Sequence, residues 1–184
     1  SNSLCDFGTG DFTIDFWFNM NSGTATNTRM HALNIGSGSS TNVSFDFNDS
    51  GYGIWVYWMS GGSNYIRQSG NYRNDGLWHH CAFVRDNGTC RLWIDGAYIG
   101  GVSYATQIGA TQSLYIGSTS GSQYWDGYID EVRIIKGTAL WKGASDFSVP
   151  TSRGKNASLL DASSNNNNGS LINGTGTSTT HYRD

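Results

Sequence analysis

Charge is scarce in this chain. Asp, Glu, Lys and Arg make up 14% of its 184 residues, and the formal net charge is −3. No basic stripe runs along any segment, so the electrostatic footprint of a nucleic-acid binder is missing. Glutamate is scarcer still, because Glu131 is the sole one. Glycoside hydrolysis by paired carboxylates needs two such groups about 5–9 Å apart. Asp130 cannot be the second, since strand neighbours point to opposite faces. This argues against an enzyme and leaves no catalytic residue to assign. No apolar run approaches the roughly 18–20 residues that span a bilayer, which excludes insertion as a membrane helix. Long runs of Ala, Glu, Lys and Leu are absent, and with them coiled coils and helical bundles. There is no Cys–His spacing of zinc type and no Gly-x-Ser-x-Gly nucleophile elbow. His79 and His80 are adjacent, diverge on a strand and cannot chelate one ion together, so a structural role is expected. Cys5, Cys81 and Cys90 are an odd number, which leaves at least one thiol unpaired within the chain.

What is present points to β structure. There are 25 glycines and one proline, and aromatics reach 14%. Aromatic, glycine-rich, weakly charged composition suits an all-β protein with many tight turns. Phe12, Ile14, Phe16, Phe18 and Met20 alternate with Thr13, Asp15, Trp17 and Asn19. That period of two predicts an apolar face laid on a core. Residues 43–47 and 52–59 pair as a hairpin; the second run carries aromatics on both faces, more than one core needs. Asn87-Gly88 between two β-rich runs is the strongest short-range hairpin signal. A two-residue turn there sets Cys81 opposite Ile94 and Cys90 opposite Arg85, too far apart for a disulfide. Residues 127–135 form a further strand, Gly127 to Ile135. Simple alternation puts Tyr128, Asp130, Val132 and Ile134 on one face and predicts cover on both sides. Gly137 to Trp141 is the one place where a helical turn is expected.

Three patches together resemble the laminin-G-like, concanavalin-A-like lectin/glucanase jelly roll. They are Asp11 to Trp17, then Trp78-His79-His80 through Ile94-Asp95-Gly96, and then Leu114 to Gly117 followed by Gly127 to Ile134. The resemblance covers roughly residues 5–150. It implies an all-β fold, an antiparallel β-sandwich (jelly roll) of two packed sheets. The domain is placed at residues 1–150, with an Asn/Ser/Gly-rich segment at 151–184. The chain is similar to the subtype found in phage tail fibres and secreted bacterial adhesins, with Gly137 to Trp141 and Phe147 to Pro150 closing the pattern. Asp15 departs from it where Glu is usual, and Cys81 where an aliphatic residue is usual.

The resemblance implies a non-catalytic structural or adhesion module of a virion fibre, tail or secreted surface protein. Its partners are a glycan or cell-surface receptor, together with further copies of itself or other fibre subunits. The alternative is a purely structural subunit assembling through its C-terminal strands. Residues 159–175 resemble the opening strands of the family. They either complete their own sandwich or are donated to the next subunit. Starting at Ser1 without methionine, the chain reads as a mature or excised piece, so targeting is not legible. Six Asn-X-Ser/Thr sequons, from Asn42 to Asn173, fit both chance in such a composition and a glycosylated extracellular protein.

Two kinds of site follow. A structural calcium wants six to eight oxygens, and Asp130, Asp126 and Asp6 (with Asp11 nearby) are the candidate ligands. The competing account is that Asp130 accepts hydrogen bonds or pairs with an arginine. For glycan contact the candidates are Trp55, Tyr57, Trp58, Tyr65, Tyr124 and Trp125, each with core packing as its competing role. Trp125, in a Gly/Ser loop, leads that group.

Overall fold

The computed structural model describes residues 5–22, 29–36, 43–49, 52–58, 64–69, 73–108, 113–119, 122–149, 158–159 and 169–170, and none of these is helical. The chain separates into two compact units, Ser1–Val149 and Pro150–Asp184. The first unit holds β1 (Phe12–Met20), β2 (Met30–Ile35), β3 (Val43–Asp49), β4 (Tyr52–Trp58), β5 (Asn64–Ser69), β6 (Trp78–Asp86), β7 (Thr89–Ile94), β8 (Ala97–Ser103), β9 (Leu114–Ile116) and β10 (Gly127–Lys136). They form two five-stranded antiparallel sheets, ordered β10-β1-β6-β7-β8 and β5-β4-β3-β2-β9. The second unit contributes a short ladder of β11 (Ser158–Leu159) and β12 (Gly169–Ser170). The other residues of 159–175, and with them the choice between self-completion and donation, lie outside the described residues.

The two sheets pack face to face as the all-β sandwich the sequence predicts. The apolar set of β1 is fully buried, as are Phe45 and Phe47 of β3 and Phe83 of β6. Rings interlock across the layers in edge-to-face geometry, with Phe16–Phe45 centroids 5.2 Å apart and Phe18–Phe47 4.7 Å apart. The hairpin after β6 has the predicted register, with Cys81 opposite Ile94 and Cys90 opposite Arg85. Asn87 and Gly88 take φ of 47° and 73°, the left-handed pair that a two-residue turn matching strand twist requires. All three cysteines are free and buried.

The β10 strand departs from simple alternation. Asp15 pairs with Arg133, but Trp17 pairs with Asp130, so β10 spends one extra residue in a bulge. Glu131 sits there at φ 50°. The bulge resets the phase: Ile129, Val132 and Ile134 pack on the core, while Tyr128, Asp130 and Arg133 face outward. Asp130 therefore does not share a face with Val132 and Ile134. The strand is also an edge of its sheet, paired with β1 alone; of its two faces one packs on the core and the other is covered only in part, with the Arg133 guanidinium 5.8 Å from the Trp141 ring.

Residues 137–149 form no helical turn. They run as a strap over the outward face of the first sheet, tied to it by backbone hydrogen bonds. Gly137 N donates to Asp11 O at 2.7 Å, and Phe147 N to Gly96 O at 2.9 Å. Leu140 N donates to Thr13 Oγ1 at 3.0 Å. Trp141 and Phe147 stack at 4.2 Å, and Ala82, Val84 and Trp93 are buried with Ala139 beneath the strap. Gly96 is required here: a Cβ would fall 2.1 Å from Phe147 O.

Two adjacent histidines serve opposite layers. His80 faces outward, its Nε2 3.1 Å from Asp15, whose carboxylate also accepts both Nε and Nη2 of Arg133. His79 faces inward between Asp95 (2.9 Å) and Asp75 (3.0 Å). Burial pushes the His79 pKa down, but hydrogen bonds and charge from the two carboxylates outweigh it and leave the value raised. Its stabilising contribution is then complete below the ordinary histidine pKa of about 6.5 and is lost as pH rises through the higher folded value. Melting temperature should fall from pH 6 to pH 9 more steeply in the native protein than in His79→Gln; parallel profiles would refute the assignment.

Arg85 is fully buried. It donates to Gly8 O at 2.7 Å, Gly10 O at 2.7 Å and Thr106 O at 3.0 Å, pinning the chain before β1 to the loop after β8. Replacement by methionine strands these carbonyls, each worth about 1–3 kcal/mol when buried without a donor. Urea unfolding of Arg85→Met should show a loss of about 2–4 kcal/mol; an unchanged midpoint would contradict this.

Candidate functional site: the outward face of the second sheet

The β3–β4 hairpin places polar and aromatic residues side by side. Phe45 and Phe47 turn inward with Ile54, Val56 and Trp58, all fully buried. Alternation then turns Ser44, Asp46, Trp55 and Tyr57 outward. Register sets Asp46 opposite Trp55 and Ser44 opposite Tyr57. The next strand adds Arg67 opposite Trp55 and Tyr65 opposite Tyr57. On the other flank β2 presents His31 opposite Asp46 and Asn34 opposite Ser44, with Ala32 as the extra residue of a bulge.

The aromatic half of this face is a cluster. Trp55 lies 5.2 Å from Tyr57 and 5.8 Å from Tyr65 by ring centroid. The Arg29 guanidinium lies 5.8 Å from both the Trp55 and the Tyr57 ring, and the Arg67 guanidinium 5.3 Å from Tyr65. Tyr65 is exposed, while Trp55 and Tyr57 are half-buried.

The polar half is a connected network. Asp46 is fully buried and takes an ion pair from Arg29 through both Nε and Nη2. Ser44 Oγ donates to Asp46 Oδ1 at 2.6 Å and accepts from Asn34 Nδ2 at 3.0 Å. His31 Nδ1 lies 2.8 Å from Ser44 Oγ and 2.8 Å from Asp46 Oδ1. Its Nε2 lies 2.8 Å from Gln123 Oε1, which ties the 122–126 loop to the same face. Arg29 also donates to the Tyr57 hydroxyl at 3.2 Å. Burial and the Asp46 carboxylate push the Tyr57 phenol above its ordinary pKa, so it keeps its proton at neutral pH. A buried charge is tolerated only when it is paired and hydrogen-bonded, and Asp46 meets that condition. The arrangement offers ring faces for apolar contact with the part-exposed Arg29 guanidinium beside them, above a buried layer of His31, Asn34, Ser44 and Asp46.

The residues expected from sequence divide sharply. Trp55, Tyr57 and Tyr65 are brought together. Tyr124 is exposed and follows Gln123 in the attached loop. Trp58 is corrected: it is fully buried and packs on Phe83 at 5.2 Å. Trp125 is corrected as well. Its ring stands edge-on to Phe47 at 5.0 Å and Phe18 at 5.9 Å, so it wedges into the core instead of standing in the loop as a platform. Arg29, His31, Asn34, Ser44, Asp46 and Gln123 were not singled out. Ser44 and Asp46 were within reach of the β3 alternation; the others depend on which strands and loops become neighbours.

The three candidate calcium ligands do not converge. Asp6 accepts Gly8 N at 3.3 Å, before β1 begins. Asp126 accepts Asn21 Nδ2 at 2.6 Å, just past the other end of β1. A nine-residue strand separates them, which at about 3.3 Å per residue is far beyond any shared coordination sphere. Asp130 lies between and accepts the Glu131 amide at 2.8 Å. No group of three His, Cys, Asp or Glu side chains with metal-holding geometry occurs among the described residues. These carboxylates do not fit a calcium site.

Several solved structures share the fold. A candidate carbohydrate-binding protein from Bacteroides ovatus superposes with a TM-score of 0.54 at 18% identity, over 69% of this chain and 37% of that one. The carbohydrate-binding module CBM40 of the Ruminococcus gnavus IT-sialidase gives 0.54 at 14%, over 73% and 79%. Domains LG4-5 of the mouse laminin alpha1 chain give 0.52 at 16%, over 80% and 43%. The chain thus spans less than half of the first and third of these proteins. No curated protein sequence matches it. Residues 2–141 match the laminin-G family described as the concanavalin A-like lectin/glucanases superfamily, and the chain belongs to that family.

Proposed function

We propose that this protein is a non-catalytic, lectin-like module that binds glycans on the outward face of its second sheet. One observation carries the reading: Trp55, Tyr57 and Tyr65 form a ring cluster beside the Arg29–Asp46 pair. Sugar rings present apolar C–H faces to aromatic side chains and hydroxyls to charged or amide groups. The carbohydrate-binding proteins among its structural relatives support the same class. Asp46 is the one carboxylate that the described strands turn onto this face, and it is held in an ion pair. A two-carboxylate hydrolysis has no second partner there.

The setting we propose is extracellular, in a secreted adhesin or a virion tail or fibre protein, with a glycan or cell-surface receptor as partner. The thiols are compatible with it. Burial pushes Cys90 up to about 12 and raises Cys81 and Cys5 as well, so none offers the thiolate that oxidation needs.

Truncating Trp55 or Tyr57 to alanine should weaken glycan binding about tenfold, a loss of about 1.4 kcal/mol, in titrations against ligands drawn from a glycan array. Binding that survives both substitutions at full strength would remove this face from consideration. Reducing-sugar release from a polysaccharide panel would overturn the non-catalytic part.

A further inference from the structure

The outward face of the first sheet is only half covered. The strap closes over Ala82, Val84 and Trp93 through Ala139, Trp141 and Phe147. Toward the other end of the strands the cross-strand rows run Asp130–Trp17–His80 and Tyr128–Asn19–Trp78. Tyr128 is 66% exposed there, and Trp17 and Trp78 are half-buried. The Tyr128 and Trp78 rings lie 6.3 Å apart, inclined by 38°. The Glu131 bulge creates this surface. Unbroken alternation would put Val132 and Ile134 on the face of Tyr128 and Asp130; the extra residue turns them inward and leaves the tyrosine and the carboxylate facing out. Bulges recur where a side chain must be re-aimed, and here the bulge residue is a non-glycine in the left-handed region.

We propose that Tyr128, Trp78, Trp17 and Asp130 form a second binding site, for a neutral pyranose ring, on the sheet opposite the first site. The chain's own strap is not the occupant: it meets these rows at His80, whose ring lies 5.7 Å from Trp141 and 6.0 Å from Phe147, and Tyr128 stays exposed. The charge pattern selects the ligand. Asp130 lies two residues from Tyr128 on the same outward face, opposite Trp17. Arg133, which also faces outward on β10, is held by Asp15 at 2.8 and 2.9 Å. Such a surface offers acceptors to hydroxyl groups and repels anions. The aromatic members pair an apolar ring with a polar tip or edge, the chemistry that suits a sugar face over a purely apolar partner. This site stands independently of the first.

The test uses the full chain, with methyl β-galactopyranoside and methyl β-glucopyranoside as neutral probes and methyl β-glucuronide as the anionic one, read by saturation-transfer NMR and titration. The site predicts that a neutral glycoside still binds after Trp55→Ala/Tyr57→Ala. In that background Tyr128→Ala and Trp78→Ala should each weaken binding at least about fivefold, Asp130→Asn should also weaken it, and the glucuronide should bind less well. Tyr128 is exposed enough that its truncation should leave the melting temperature nearly unchanged, which separates lost binding from lost folding. If Trp55→Ala/Tyr57→Ala abolishes all binding and Tyr128→Ala alone changes nothing, the second site fails and the first stands. If only the Tyr128 and Trp78 variants matter, the first site fails and this one stands. No neutral glycoside binding by the native chain, or a monomer–dimer equilibrium in sedimentation that Tyr128→Ala abolishes, overturns the proposal.

Discussion

β1 commits Phe12, Ile14, Phe16, Phe18 and Met20 to the interior, all fully buried, and every other feature must keep phase with that choice. Because the side-chain period is two, Thr13, Asp15, Trp17 and Asn19 are forced outward, and so are their partners on β6 and β10. Packing Phe16 and Phe18 on Phe45 and Phe47 then fixes the phase of the second sheet. A slip of one residue in any of these strands would bury the polar set and expose the apolar one. The β10 bulge is the adjustment that lets an otherwise mismatched strand join: without it, either Ile129 or the Val132/Ile134 pair would face outward.

The two outward faces solve the resulting problem differently. The first sheet buries part of its outward row under a strap, with Asp15 held between Arg133 and His80. The second keeps a buried polar layer, in which Asp46 is satisfied by Arg29, Ser44 and His31. Hydrogen bonds that share partners in this way hold one another in place, although Asn34 Oδ1 in the same layer has no hydrogen-bond partner. The network therefore preorganises Arg29 and Tyr57 before any ligand arrives, which lowers the ordering cost of binding.

The described carboxylates named as candidates are dispersed by the fold. The chain has fourteen acidic residues, ample for a catalytic pair or a calcium site. Yet Asp6 and Asp126 sit at opposite ends of β1, and Asp46 is spent on an ion pair. What the fold does gather on its outward faces is aromatic rings, and that favours recognition over chemistry.

Much of the fold was legible because strand alternation and turn chemistry are local. The burial set of β1, the Asn87-Gly88 hairpin with its cysteine register, the β3–β4 pairing and the sandwich class follow from residues close together in the chain. So does the outward placement of Trp55 and Tyr57. Tertiary structure alone decided the rest. Alternation cannot reveal a bulge, so the outward turn of Tyr128 and Arg133 depended on the register β10 finds against β1. A loop tryptophan and a strand tryptophan look alike in sequence; Trp125 went to the core because Phe18 and Phe47 leave an edge there for it to fill. The network of Arg29, His31 and Gln123 joins residues up to 94 positions apart in the chain, and only the packing of β2 and the 122–126 loop against β3 could bring them together.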